Sequence, residues 1–334
     1  MRRLLRGMLA GSMLCVAVTG CGSGSGDPAP AASPSLVGKP IPAARVTAGV
    51  MTQSDAQYLG MDWERLRTAA GGLPWQLVSA AGVQMAVACT GVGSPTVVYL
   101  NGFTGEAADW WSIPAVAQSA SNRVCLFDRP GVGLSEARSG PAPRTSTPHM
   151  HADEMFALMD ALGGGGPFLL VAHSYGGLIA RTAATANPDG VAGMVLIDAA
   201  SPLAPDLDQP WEGEGGVIDT SAVPGEVGDG PAMGDKPVSV LRAGVWNDSS
   251  PLAYSQAEWE AFQRQAATIS SNAVYGVVDG SDHAIPARNP DAVVAATTAV
   301  SQSIRDGNAP LGDCPAGLAQ AGVTCLSSTS PPTR

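Results

Sequence analysis

The sequence predicts an α/β fold: a mostly parallel, doubly wound sheet of eight strands, with a short loop-like flap inserted late in the chain. Three observations carry this prediction. Beyond Trp75, short apolar runs alternate with helix-like stretches, the order expected when crossover helices link parallel strands. The later runs are apolar without interruption, as strands covered on both faces must be. The 41 glycines and 27 prolines follow no collagen-like period and mark turns instead.

Taken in order, Val46 to Ala70 mixes polar and apolar residues and reads as partly helical. Strands are expected at 75–80 (WQLVSA), 83–89 (VQMAVAC), 96–100 (TVVYL), 123–127 (RVCLF), 168–173 (FLLVAH), 193–197 (GMVLI), 238–242 (VSVLR) and 274–278 (VYGVV). Helices are expected at about 106–120, 148–162, 175–187, 256–269 and 289–305. Residues 201–236 interrupt the alternation with eight acidic residues, seven glycines and five prolines, a composition that suits a flap rather than a packed second domain. The folded domain is placed at 46–310, and a cysteine-bearing tail at 311–334.

Of 334 residues, 45% are hydrophobic and 14% charged, so the chain is no disordered polyelectrolyte and can bury one large core. The formal charge is −11, Lys39 and Lys236 are the only lysines, and there is no basic stripe. Nucleic acid is therefore not an expected partner, because phosphate contacts dominate that affinity.

The first residues read as an address. Arg2, Arg3 and Arg6 precede an apolar stretch, Met8 to Val18, that is too short to span a bilayer. Val18-Thr19-Gly20-Cys21 follows, a small-residue run ending in cysteine that resembles the lipobox of bacterial lipoproteins. The resemblance implies a signal peptide over 1–20, acylation of Cys21, and export to the extracytoplasmic side of the cell membrane. Acyl chains, rather than a transmembrane helix, would be the anchor. Gly22 to Pro34 reads as a flexible tether within a lipidated segment over 21–45.

Export permits disulfides. Cys15 would leave with the signal and Cys21 would be acylated, so Cys89, Cys125, Cys314 and Cys325 remain, with three possible connectivities. Proximity favours Cys314–Cys325 as a clip on the tail, which leaves Cys89 with Cys125.

The strongest chemical signal is Phe168-Leu-Leu-Val-Ala-His-Ser-Tyr-Gly-Gly177. An apolar strand runs into small-x-Ser-x-Gly (Ala172, Ser174, Gly176) and straight into a helical stretch. A nucleophile elbow needs that arrangement, because its sharp turn leaves room only for small residues two before and two after the serine. Serine needs a base, and His283 follows the last expected strand. His173 adjoins the serine but alternation points it the other way. His149 and His151, with Asp153, have a metal-like spacing but no third ligand motif, and a solvated helix start is the preferred reading. The orienting acid is open between Asp198, at the tip of the sixth strand, and Asp248, after the seventh; both preserve the order Ser, Asp, His. Two backbone amides would form the oxyanion hole, those of Tyr175 and of Phe103 in Leu100-Asn-Gly-Phe-Thr-Gly105, where Gly102 permits an unusual backbone. Trp110 and Trp111 follow that loop, with helix-core packing preferred over a place in the pocket.

These motifs together resemble the α/β-hydrolase superfamily over roughly 75–305. Phe127-Asp-Arg-Pro-Gly-Val-Gly-Leu-Ser135 is similar to the superfamily's segment after the fourth strand, and Gly-Ser-Asp-His with the downstream Asn-Pro-Asp-Ala-Val-Val to its histidine loop and last helix. More narrowly, Ala88-Cys-Thr-Gly-Val-Gly-Ser-Pro-Thr-Val-Val98 and Arg123-Val-Cys resemble an exported bacterial subgroup, and this resemblance implies Asp198 as the acid. Superfamily topology sets the second and fourth strands side by side, which implies that a Cys89–Cys125 bridge is geometrically reasonable. An aspartate in place of Ser174 would have indicated a dehalogenase or epoxide hydrolase.

The function the resemblance implies is a cell-envelope serine hydrolase acting on small-molecule carboxylic esters, with no metal or organic cofactor required. A peptidase or acyltransferase could use the same residues. The alternative from another class is a catalytically silent hydrolase fold serving as a ligand-binding or scaffold lipoprotein.

Overall fold

Ten strands build the central sheet of the computed structural model, which describes residues 37–140, 144–227, 233–246 and 254–327. In chain order the strands are β1 Lys39–Pro40, β2 Trp75–Ala80, β3 Val83–Thr90, β4 Thr96–Leu100, β5 Val124–Phe127, β6 Thr145–Ser146, β7 Phe168–His173, β8 Val191–Ile197, β9 Trp211–Gly213, β10 Gly216–Ile218, β11 Val238–Ala243, β12 Ala273–Val278 and β13 Val323–Leu326. The main sheet runs β1-β2-β3-β5-β4-β7-β8-β11-β12-β13. β2 and β3 form a hairpin whose two turn residues, Ala81 and Gly82, have φ of 49° and 76°, the left-handed pair that matches strand twist. β3 pairs antiparallel with β5, and every pairing from β5 across to β12 is parallel.

Side chains alternate between two apolar layers. Val98, Leu100, Leu170, Ala172, Met194 and Leu196 face one layer, packed under helices Pro148–Ala161 and Tyr175–Ala186. Val97, Tyr99, Leu169, Val171, Val195 and Ile197 face the other, under helices Trp63–Gly72, Ala107–Gln118 and Pro290–Arg305. Strands buried on both faces explain the unbroken apolar runs.

All eight expected strands are present, but the sheet is wider. β1 and β13 extend its two edges by antiparallel pairing with β2 and β12. The fold therefore begins inside the segment read as tether, and β13 makes part of the segment read as tail integral to the sheet. The flap is also more ordered than a loop. β9 and β10 form a hairpin that pairs with β6, and a 3-10 turn at Pro205–Asp208 and a helix at Val223–Val227 complete it. The signal segment 1–20, Cys21 and the tether to Pro34 lie outside the described residues. No helix among the described residues is long and apolar enough to cross a membrane.

Both disulfides join the expected partners. Cys89 and Cys125 stand opposite each other in the β3–β5 register, with Cα atoms 4.2 Å apart. Cys314 is bonded to Cys325 of β13, which fastens the chain ahead of helix Ala316–Gln320 to the sheet edge.

Candidate active site

Ser174 sits between β7 and helix Tyr175–Ala186 with φ 51° and ψ −121°. A serine held there costs on the order of 1–3 kcal/mol and persists only where surrounding packing over-determines it. That packing is visible. A Cβ on Gly176 would fall 2.5 Å from the Leu100 carbonyl oxygen, and one on Gly177 would fall 2.4 Å from the Ala199 Cβ. Two further hydrogen bonds tie the turn to the tip of β8: Ser174 N–H to the Ile197 carbonyl at 3.1 Å, and Ala200 N–H to the Ser174 carbonyl at 2.9 Å. These bonds straddle Asp198, so serine and aspartate are fixed to one another through backbone.

Asp198 is 2% exposed and has φ 42°. Its Oδ1 accepts from the Ala243 N–H at 2.9 Å and the Trp259 indole N–H at 3.0 Å; its Oδ2 lies 2.6 Å from His283 Nδ1. An ionised carboxylate only accepts, so Nδ1 carries the proton and Nε2 is the basic nitrogen. Burial alone would raise the Asp198 pKa, but the His283 hydrogen bond and charge and the two further donors hold it below the ordinary value. For His283, burial works downward and is outweighed by the hydrogen bond and charge of Asp198, so its pKa is raised. Asp248, the other sequence candidate, lies outside the described residues; the acid that meets His283 is Asp198.

Tyr175 follows Ser174 in the chain, and the Phe103 ring meets the Tyr175 ring edge-on at 6.5 Å. Tyr175 opens its helix, where an N–H has no intrahelical acceptor. Gly102 does not have the left-handed backbone expected of it; the positive φ of this loop, 56°, belongs to Thr104. Space is tight at 102 instead, since a Cβ would lie 3.0 Å from His173 Nδ1 and 3.3 Å from the Ser174 Cβ. The loop is held from below by Arg129, whose guanidinium donates to the carbonyls of Asn101 and Gly102, each at 2.8 Å. Arg129 is in turn paired with Glu214 of the flap, the two side chains each 2% exposed, and Glu214 also accepts from the Thr104 N–H at 2.9 Å. Flap and loop are thus joined through one buried ion pair.

Two residues gain importance that sequence reasoning did not give them. His173 does point away from the serine's layer, with Leu169 and Val171, but that face carries the His283 loop. Its Nε2 donates to the His283 carbonyl at 2.8 Å, and its ring stacks on Trp110 at 5.3 Å. Burial and the neighbouring His283 push its pKa down to about 3, so it stays neutral. His151 is buried and meets the Tyr175 hydroxyl at 2.8 Å, whereas His149 is exposed beside Asp153. The two face different surroundings and share no site. Trp111 is buried against Tyr99, in keeping with core packing.

Ser174, Asp198 and His283 line one cavity of about 320 Å³. Its other walls come from the flap (Ala204, Asp206, Leu207, Trp211), from the end of β11 and the residues after it (Arg242, Val245, Trp246), and from Tyr254 and Trp259.

Residues 95–217 match the family model described as alpha/beta hydrolase fold. An uncharacterized vacuolar membrane protein of Saccharomyces cerevisiae is 33% identical over 108 residues, 31% of this chain and 16% of the yeast protein. An uncharacterized Bacillus subtilis protein is 29% identical over 110 residues, 33% of this chain and 42% of its own. The chain therefore spans less than half the length of either relative. Among solved structures, an epoxide hydrolase variant of Vigna radiata is 30% identical over 37% of this chain and 38% of its own, with a TM-score of 0.34. A candidate epoxide hydrolase from Pseudomonas aeruginosa superposes with a TM-score of 0.54 at 16% identity, covering 71% of this chain and 98% of its own. The sheet order, the family-model match and this last superposition together identify the fold as that of the α/β hydrolases.

Proposed function

We propose that the chain is a serine hydrolase of carboxylic esters, with Ser174 as nucleophile, His283 as general base and acid, and Asp198 as the group that fixes the imidazole. One observation carries this reading: a serine on a strained strand-to-helix turn shares a cavity with a histidine whose far nitrogen is bound to a buried aspartate at 2.6 Å. Serine at the elbow, rather than aspartate, favours acyl transfer over the epoxide chemistry named for the structural neighbours.

The steps follow from the residues. His283 Nε2 takes the Ser174 proton as Oγ bonds to the ester carbonyl carbon. The carbonyl oxygen becomes an oxyanion facing the Phe103 and Tyr175 amides. The tetrahedral species collapses, the C–O bond to the alcohol breaks, and His283 returns its proton to the departing oxygen. Water, deprotonated by His283, then releases the acid and restores Ser174. Asp198 stays ionised throughout and stabilises the imidazolium formed twice per cycle.

The test is turnover of a neutral p-nitrophenyl ester with a pre-steady-state burst, abolished in Ser174→Ala. A folded wild type that turns over no ester in a broad panel contradicts the reading and favours a silent binding protein. The placement at the cell envelope through acylated Cys21 rests on the sequence, and Cys21→Ala is expected to release the protein into the medium; unchanged membrane retention contradicts it.

A further inference from the structure

Of the charges lining the cavity over Ser174 that the proposed chemistry does not use, one is left without an opposite charge among the described residues. Asp206, in the 3-10 turn of the flap, lies half-buried on the cavity wall. Beyond its own backbone N–H, no donor and no cation reaches its carboxylate among the described residues, and the charge that acts on it, Asp208, is of the same sign. The other charges on the wall are compensated. Asp198 has His283, Ala243 and Trp259. Arg242 faces Glu260 at 3.2 Å and donates to the Tyr275 hydroxyl at 3.1 Å.

The cavity that Asp206 lines is also lined by four aromatic residues, Trp211, Trp246, Tyr254 and Trp259. Tyr254 and Trp259 stack at 5.6 Å, and the Tyr254 hydroxyl is held protonated first by burial and then by the fields of Asp206 and Asp198, so carboxylate and phenol share one neighbourhood. A neutral or anionic guest would leave the carboxylate desolvated and uncompensated. A cation would complete it, meeting the carboxylate with its charge and the ring faces with its quadrupole attraction.

Resting on the serine-hydrolase reading above, we propose that Asp206 with Trp211, Trp246 and Tyr254 forms a subsite for an ammonium group, so that the preferred substrate is a small ester bearing a positive charge.

The experiment compares two esters of one shape, choline butyrate and its uncharged carbon isostere, 3,3-dimethylbutyl butyrate, in wild type and Asp206→Asn. The expected wild-type kcat/KM ratio is about tenfold in favour of the cation, falling to near one in Asp206→Asn, the effect of a half-exposed charge pair discounted for solvent screening. A wild-type ratio at or below one, or the same ratio in both proteins, overturns the proposal. Should the wild type hydrolyse neither of these nor any ester of the broad panel, the hydrolase reading fails, and the subsite is read by tetramethylammonium quenching of tryptophan fluorescence. Saturable binding that weakens about tenfold in Asp206→Asn supports the subsite; no saturable binding, or equal binding in both, overturns it.

Discussion

Glu214 offers a test of whether the flap organises the chemistry beneath it. Its carboxylate takes a hydrogen bond from Arg129 Nε at 3.0 Å, a second from Arg129 Nη2, and a third from the Thr104 N–H at 2.9 Å. Glu214→Ala strands a guanidinium that is buried and permanently charged, which costs about 3–5 kcal/mol of stability. Glu214→Gln keeps one acceptor oxygen, so the loss is smaller, about 1.5–3 kcal/mol. Arg129 released from Glu214 also loosens its hold on the carbonyls of Asn101 and Gly102, and with them the Phe103 amide between Gly102 and Thr104. A displacement on the order of 1 Å at a catalytic donor costs about 100-fold in rate. The loss is expected on kcat rather than KM, because in the proposed mechanism the amide meets charge that develops only in the transition state. Urea melts measure the first effect, and steady-state kinetics on a neutral ester the second. Arg129→Lys is expected to show both losses as well, since one ammonium cannot fork across these acceptors. The reasoning is refuted by a Glu214→Ala protein that loses less than about 1 kcal/mol, or by one destabilised in full that keeps its kcat.

Two pH-dependent outcomes follow from the same electrostatics. In the proposed mechanism neutral His283 is the active form, and its pKa is raised by Asp198, so kcat/KM is expected to rise with pH along a limb centred above 6.5. Asp198→Asn is expected to move that limb to lower pH and to cut kcat by about 10,000-fold; a limb that stays in place contradicts Asp198 as its cause. Asp109 is buried and pushed up to about 7, so the folded chain holds a proton that the unfolded chain releases near pH 3.9. Stability from this group is full below pH 4 and is lost as pH rises through 7. Asp109→Asn keeps an oxygen for the Met51 N–H at 2.9 Å, so it is expected to raise the melting temperature at pH 8 and to give no gain at pH 4; an equal shift at both pH values contradicts the assignment.

Periodicity makes most of this molecule legible in its amino-acid sequence. The continuous runs at 168–173 and 193–197 read as buried parallel strands because both faces are covered, and both are present. The edge strands are not legible for the same physical reason inverted. Lys39–Pro40 is two exposed residues in a proline-rich stretch, and Val323–Leu326 is half-covered and short, so neither has an apolar pattern to read. The flap hairpin is similar: three-residue strands with Gly213 and Gly216 at their turn-facing ends carry no alternation, and their order comes from Glu214 and Trp211 packing on distant residues.

At the site, Ser174 is legible because the elbow imposes small residues at fixed offsets. His283 and Asp198 are legible as a choice, since chain order and strand tips limit the candidates. The Arg129–Glu214 pair is not, because its partners lie 85 positions apart in the chain and no local spacing records their meeting. His173 shows the limit of alternation: the rule gives its face correctly, but not that the His283 loop returns to that face.

The most direct test of the central claim is intact-mass labelling of a soluble form, residues 22–334, by a fluorophosphonate. One adduct is expected on the wild type, none on Ser174→Ala, strongly slowed labelling of Asp198→Asn, and wild-type labelling of Asp248→Asn. A folded wild type that takes no label, or a Ser174→Ala protein labelled like wild type, would contradict that claim.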